Sequence, residues 1–557
     1  MWRLVAAADL VKRHAAISIL PISLTIGTKS MEQLSGLDNA SLVSEKGNVF
    51  SHVSTLLVYD VSTAPSGKIR YKDILQHFEE RLHLHPVFSN RLARVPFGID
   101  RPYWMAGGDI DVEYHIRHIA LPQPGDWRQL MIQVARLHSR PLDRNKPLWE
   151  VYVIEGLDNI PKLPKGAFAI FFKVHHASVD GMAAVHLLSD LHTAKPKRPH
   201  AHTRKQKMQR EVRPSNFQLV SKTMGHNVAR IGKTASLFTG STRRLIRAGT
   251  EQLRDISPGK LGEVSRSLSR IFDSGVPVTR FSRNVSGHRV LEGFGMPISR
   301  IKRIRAKVPG ITLNDVFIAV AAGAVRNYLE EKGELPSESL SGLMPISVRS
   351  DASASGNQVA GIPVAVCSHI ADPIERVKAI HRKTLSGKEA AEKMGLEMLM
   401  NILDVVPPVL ASALVDRVML PRINIAVSNV RGPDHDMYLA GAKAMCFYPV
   451  SIPADGVGLN FTGISYNGVM WVSMVSCRDM VPDPNFMLTC MQGAWDELLA
   501  AADALPGDKP SRKAAVPKAP RKRQAIKSSP ARKAAASSKT KSAAVTRRRK
   551  PAQKKLI

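Results

Sequence analysis

Cysteine is scarce, with four in 557 residues. Cys367, Cys446, Cys477 and Cys490 stand far apart and form no C-x-x-C pair. That spacing argues against a disulfide framework and against the usual zinc patterns, and scattered thiols suit a reducing cytoplasm. Acidic residues are also few, 47 against 79 Lys and Arg, giving a formal net charge of +32. No apolar run reaches the ~20 residues a membrane-spanning helix needs. A Gly-x-Ser-x-Gly elbow is missing, which removes one common route to a covalent intermediate. Present is an ordinary apolar fraction of 44%. The chain is long enough for two globular domains of ~100–200 residues plus additions.

The excess charge concentrates at the C-terminus. From Lys509 to Ile557 there are 18 Lys and Arg and no Asp or Glu. Lys, Ala, Ser and Pro cannot bury enough surface to offset ordering entropy, so 506–557 is expected to be a disordered tail. Its charges suit non-specific DNA binding or an anionic lipid surface, both salt-sensitive. A solvated tail without a partner is the plain alternative. At the other end, Arg3, Lys12 and Arg13 precede a short apolar stretch from Ala15 to Gly27. It has the look of a weak leader without a cleavage site. The alternative is that the true start is Met31.

Between these ends the hydrophobic pattern alternates. "VSTLLVYDV", "LWEVYVIEGL" and "GAFAIFFKVHH" predict strands. "YKDILQHFEERLHLHP" predicts a helix stopped by Pro86, "WRQLMIQVARLHSRPL" a second, and "MAAVHLLSDLH" a third. Residues 193–275 break the pattern with a polar, basic linker. Within it Phe217, Val220, Met224, Val228, Ile231, Ala235 and Phe238 share one helix face, packed on the protein or lying on anionic lipid. Residues 276–505 return to α/β. Thr312 and Asp315 form a capping box. "INIAVSNVRGP" predicts a buried strand, and Asn467-Gly468 the type I′ turn of a hairpin. The expected organisation is an N-terminal extension 1–30, an N-terminal domain 31–192, the linker 193–275, a C-terminal domain 276–505 and the tail.

The sharpest motif is "HHASVDG", His175 to Gly181, placed between a strand and a helix. Alternation puts His176 on the face of Phe168, Ile170, Phe172 and Val174, with His175 on the other. A neutral imidazole facing a channel can take the proton of a hydroxyl as it attacks a thioester, a contribution of ~10²–10⁴-fold. The adjacent histidines could instead be metal ligands with His186 or His192. Neighbouring strand residues point apart, however, and no carboxylate completes a set.

Further segments follow in order: "LSGLDNASL", "PLDRNKPLWEVYVIEGL", "TLNDVFIAVAAGAVRNYL", "PISVRS", "GNQVAGIPVAV", "SNVRGP" and "VGLNFTGISYNG". Taken with HHASVDG, the region Leu34–Leu499 resembles the bacterial wax ester synthase/diacylglycerol acyltransferase family, within the CoA-dependent acyltransferase superfamily. The resemblance implies two chloramphenicol-acetyltransferase-like α/β sandwich domains with a channel between them. It implies an O-acyltransferase acting on diacylglycerol or a long-chain alcohol, with acyl-CoA as co-substrate and no resident cofactor or metal. His176 would be the general base. His175, Asp180 and Gly181 would support the motif, Asp180 through an ion pair with an arginine.

Pro147, Leu148, Trp149 and Glu150 match the family's PLWE segment, where packing explains Trp149 as well. Asn314, Asn429 and Asn460 are candidates for the substrate channel. Asp315 serves as a helix cap, and Asn429, Gly432 and Pro433 match the family's NVxGP turn. Arg431 departs from the family, which commonly has proline there. The expected location is cytoplasmic, peripheral on the inner face of the plasma membrane or on lipid droplets. Two rivals remain on the same fold: a carrier-protein-dependent acyltransferase, and a non-catalytic protein that tethers lipid droplets or nucleic acid.

Overall fold

The computed structural model describes residues 31–96, 99–107, 110–197, 214–221, 223, 276–347, 359–393 and 423–506. The N-terminal extension, the tail and most of the linker lie outside the described residues. The predicted alternation resolves into an α/β fold with two six-stranded sheets.

The first sheet joins β2 (His52–Asp60), β5 (Ile116–Ala120), β6 (Trp149–Glu155) and β7 (Phe168–His175). The second contains β8 (Arg289–Pro297), β9 (Ser341–Ser347), β10 (Val359–Ala365), β11 (Ile425–Val430), β14 (Leu459–Tyr466) and β15 (Val469–Cys477). A small sheet holds β1 (Glu32–Gln33), β3 (Asn90–Ala93) and β4 (Tyr103–Ala106).

The two halves of the chain are interleaved. Strands β12 (Tyr438–Leu439) and β13 (Ala442–Val450) come from the C-terminal half, yet extend the first sheet in the order β12-β13-β2-β7-β6-β5. Strand β13 runs antiparallel to β2, with an irregularity between Ala444 and Cys446. The described residues between 31 and 506 accordingly fall in one compact unit. The second sheet runs β10-β9-β11-β14-β15-β8, with β11 parallel to both neighbours.

Helix α1 (Gly36–Val43) precedes β2, α2 (Tyr71–Glu79) follows it, and α3 (Trp127–His138) covers one face of the first sheet through Leu130, Val134 and Leu137. Helix α4 (Gly181–Leu191) follows β7 and buries Val185, Leu187, Leu188 and Leu191. Around the second sheet lie α5 (Ile298–Lys307), α6 (Leu313–Glu331), α7 (Pro373–Lys393) and α8 (Pro484–Ala504). Helix α6 is buried on every side from Asp315 to Val325, as a helix apolar all round must be. Its N-terminus carries the expected reciprocal box: Asp315 N–H donates to Thr312 Oγ1 at 3.2 Å, and Thr312 N–H to Asp315 Oδ2 at 2.7 Å. The β14–β15 hairpin turns at Asn467 and Gly468, both with positive φ, as a type I′ turn demands.

Two sequence expectations change. The helix expected to reach Pro86 ends at Glu79, and two short 3₁₀ turns, Leu82–Leu84 and Pro86–Phe88, complete the segment. Pro86 holds His85 extended (φ −132°, ψ 129°), and the tighter turns let both Leu82 and Phe88 reach the core. In the linker, residues 216–221 are helical, but Phe217 is 81% exposed and Leu219 is buried beside Ala93, Val95 and Tyr103. The buried face of that piece is thus Leu219, not Phe217. Val220 of the proposed face is half-buried, and the part from Met224 to Phe238 lies outside the described residues.

Candidate active site

Strand β7 sets the site by alternation. Phe168, Ile170, Phe172 and Val174 join one core, while Ala169 and Phe171 join the core on the opposite face. His175 is the last residue of the strand, opposite His52 on β2. One step further, His176 donates its backbone N–H to the Ser51 carbonyl at 2.7 Å. Its side chain continues the Phe172–Val174 face into a cavity of ≈ 350 Å³.

That cavity lies between the two large sheets. Thr55, Phe172, Val174 and Phe447 approach it from the first, and Ser428, Asn429, Val430, Thr462 and Ile464 from the second. Helix α4 adds Met182, Val185 and Leu188. Most of the wall's surface is apolar, interrupted by polar side chains that include Thr55, Ser428, Asn429 and Thr462.

His176 is half-buried at this wall. Withdrawal from water lowers its pKa, with His175 acting in the same direction; its own backbone carbonyl and the Asp180 carboxylate oppose the shift. The net shift is downward, which keeps the imidazole neutral near pH 7 and able to accept a proton.

The other expected residues divide by location. His175 is buried behind the wall, where its Nε2–H faces Glu45 Oε1 at 3.1 Å and its Nδ1 accepts the Ala177 N–H at 3.0 Å. Asp180 is the N-cap of α4, its Oδ1 accepting the Ala183 N–H at 2.7 Å. The arginine pair expected of Asp180 falls outside what the described residues establish. Gly181 lines the cavity, and a Cβ there would stand 3.3 Å from Val430.

Asn429 lines the cavity from the second sheet. Asn460 sits behind it, donating to the Ile452 carbonyl at 3.2 Å and accepting the Thr462 hydroxyl at 2.7 Å. It therefore holds a wall residue rather than forming the wall. Asn314 lies in the first turn of α6 and is not among the lining residues. Its neighbour Asp315 caps α6 and also binds His381 Nδ1 at 2.8 Å and Thr384 Oγ1 at 3.0 Å, tying α6 to α7.

Trp149 is fully buried, donates to the Phe88 carbonyl at 3.0 Å and stacks on His115, so packing accounts for it. Gly432 is required by close approach, since a Cβ would lie 2.1 Å from the Ser465 carbonyl oxygen. Arg431 lines the cavity, remains largely exposed and pairs with Asp434 at 2.7 Å.

Sequence reasoning passed over Glu45 and Arg144. Glu45 accepts from His175, from the Ser51 N–H at 2.7 Å and from Arg144 Nε at 3.1 Å. Burial raises the Glu45 pKa, but these hydrogen bonds and charges outweigh it and hold the carboxyl at about 2. The available signal was Arg144, inside the "PLDRNKPLWE" segment.

Residues 34–317 match the wax ester synthase/diacylglycerol acyltransferase catalytic domain, and 355–499 match the C-terminal domain of the same enzymes. The O-acyltransferase WSD of Acinetobacter baylyi is 30% identical over 471 residues, covering 83% of this chain and 96% of that protein. A putative diacylglycerol O-acyltransferase of Mycobacterium tuberculosis is 30% identical over 496 residues, covering 86% and 92%. The structure of a wax ester synthase/diacylglycerol acyltransferase from Marinobacter aquaeolei VT8 shares the fold, with a TM-score of 0.56 and 24% identity over 85% of this chain and all of that one. The chain belongs to the wax ester synthase/diacylglycerol acyltransferase family of CoA-dependent O-acyltransferases.

Proposed function

We propose that the protein transfers a fatty acyl group from acyl-CoA to the hydroxyl of diacylglycerol or a long-chain alcohol, with His176 as general base. The acceptor oxygen attacks the thioester carbonyl while His176 takes its proton. The tetrahedral intermediate collapses, the C–S bond breaks, and the imidazolium returns the proton to the leaving thiolate. Ester and free CoA result, and His176 ends neutral. The thioester is already activated, so no covalent acyl-enzyme is required.

The observation that carries the reading is His176 at the wall of an apolar cavity between two sheets. Phe172, Val174, Val185, Leu188 and Ile464 offer an acyl chain a surface that excludes water. The downward pKa shift of His176 favours the neutral base. No helix among the described residues is long and apolar enough to cross a membrane. The enzyme would meet its lipid substrates at a surface, the inner face of the plasma membrane or a lipid droplet. The basic tail, 509–557, would add attraction to anionic lipid or to DNA.

The test is turnover of labelled palmitoyl-CoA with diolein and with hexadecanol, read by thin-layer chromatography, for wild type and His176→Ala. The variant should fold and lose ~10²–10⁴-fold in rate. Near-wild-type turnover in a folded variant would remove His176 from the mechanism.

A further inference from the structure

We propose that Glu45, clamped by Arg144, is the positioning residue that fixes the orientation of the His176 base. This inference rests on the reading of His176 as that base. One carboxylate oxygen organises three consecutive residues of the motif. Glu45 Oε1 accepts the Ser51 N–H at 2.7 Å, and the Ser51 carbonyl accepts the His176 N–H at 2.7 Å. The same Oε1 accepts from His175 Nε2 at 3.1 Å, and His175 Nδ1 accepts the Ala177 N–H at 3.0 Å. The backbone is thereby tied on both sides of His176, and the His175 tautomer is set with its proton on Nε2.

The other carboxylate oxygen is held just as firmly. Arg144 reaches Glu45 Oε2 with Nε at 3.1 Å and with Nη2, which also donates to the Leu42 carbonyl at 2.6 Å. Glu45 lies just beyond α1, and Arg144 comes from the turn before β6. Two distant segments therefore converge behind the motif. The Glu45 side chain is only 11% exposed.

Stability alone is a weak reason for such an arrangement, since apolar residues of similar volume replace buried ion pairs with little or no loss. A fixed anion behind a base that becomes a cation during proton transfer serves catalysis directly. Among the described residues, the charged and titratable groups near His176 include His175 and Asp180 beside it and Arg431 at the cavity wall, with Glu45 reaching it through His175.

The experiment compares Glu45→Gln, Glu45→Asp and His176→Ala with wild type in kcat, KM for palmitoyl-CoA, the pH profile of kcat/KM, and melting. Glu45→Gln should lower kcat ~10²-fold through misplacement of the base. Its KM should stay within about threefold, because ground-state binding is not removed. Loss of the fixed negative charge should also move the acid limb of the profile to lower pH. Glu45→Asp retains the charge, so it should restore the limb and part of kcat.

A Glu45→Gln enzyme with kcat within about twofold of wild type would overturn the role. So would a loss of kcat that only tracks lost folded protein, with an unmoved acid limb. The parallel variant separates the two readings. Full activity in folded His176→Ala removes the base itself. An inactive His176→Ala beside a fully active Glu45→Gln removes only the positioning role.

Discussion

Lys173 Nζ lies 3.2 Å from Glu150 Oε2, across directly paired positions of β7 and β6, and both side chains are buried. Burial lowers the Lys173 pKa, and Glu150 pulls it back up. Lys173 also donates to the Leu137 and Arg140 carbonyls at 3.3 and 2.9 Å. Glu150 is further held by the Tyr152 hydroxyl at 2.8 Å and by Arg117 at 3.3 Å. The network occupies the face of β7 opposite Val174 and His176.

Lys173→Met should leave Glu150 undercompensated and destabilise the protein by ~3 kcal/mol, at the low end for a broken buried pair. Adding Glu150→Gln should recover part of that loss. Urea unfolding of both single variants and the double variant checks this. Strictly additive effects would mean that the two side chains do not act as a pair.

Gly323 reverses an ordinary helix rule. In an exposed helix interior, Gly→Ala stabilises by ~1 kcal/mol. Here a Cβ would lie 2.8 Å from both the Ala494 Cβ on α8 and Arg376 Nη2 on α7. Arg376 is buried, and its Nη1 donates to the Ile370 carbonyl at 3.0 Å, so it cannot withdraw freely. Gly323→Ala should therefore destabilise by ~1–3 kcal/mol. The sign, measured by chemical denaturation, decides the point.

Local rules made much of this molecule legible. Alternation along "AIFFKVHH" assigned His176 and His175 to opposite faces, because a strand pleats with period two whatever surrounds it. The Thr312–Asp315 box and the Asn467-Gly468 turn were equally readable, since their hydrogen bonds close within a few residues. What was hidden depends on distant partners. Glu45 and His175 are 130 positions apart, and nothing in "VSEKGN" announces a contact with the motif. Strand β13 looked like part of the C-terminal half, yet its edge pairs with β2. Asn460 read as a channel residue because a buried polar strand position can serve substrate or backbone equally. Only the positions of Ile452 and Thr462 show which groups it binds.

Stability should fall in mild acid. His77, His138 and His192 each use one ring nitrogen to donate and the other to accept. His77 meets the Leu191 carbonyl and the Ala440 N–H, His138 the Ser451 carbonyl and Ser54 Oγ, and His192 the Leu188 carbonyl and the Tyr59 hydroxyl. A second proton would break an existing bond. Burial is the leading cause that lowers their pKa values, to about 3, 3 and 4. His52 and His115 shift in the same direction.

Unfolded histidine titrates near ~6.5. The folded state thus keeps its full stability above that pH and loses it as pH falls toward the folded values. At pH ~5.5 the three histidines together cost ~4 kcal/mol. Glu45, held at about 2, adds a loss of the same sign only below its unfolded pKa. Unfolding free energy measured from pH 8 to 5 should be flat at first and then decline with proton uptake. A rise on acidification from pH 7 to 5.5 would contradict the assignment.

Asp180 allows two origins of stability to be separated. Its carboxylate caps α4 through Ala183, and its side chain is buried. Asparagine keeps an oxygen for that cap, whereas alanine removes it at ~1 kcal/mol. If an arginine also holds the carboxylate, Asp180→Asn leaves a buried cation uncompensated, at ~3–5 kcal/mol. Asp180→Asn and Asp180→Ala should then both destabilise strongly, and both should lower turnover by loosening the segment between His176 and α4. If the cap is the main contribution, Asp180→Asn should melt within a few degrees of wild type and Asp180→Ala should lie only slightly below it. Melting curves for the two variants, with activity measured well below either transition, distinguish these cases. The expected result is the larger loss for both, because a buried carboxylate is ordinarily held by a countercharge as well as by a helix cap.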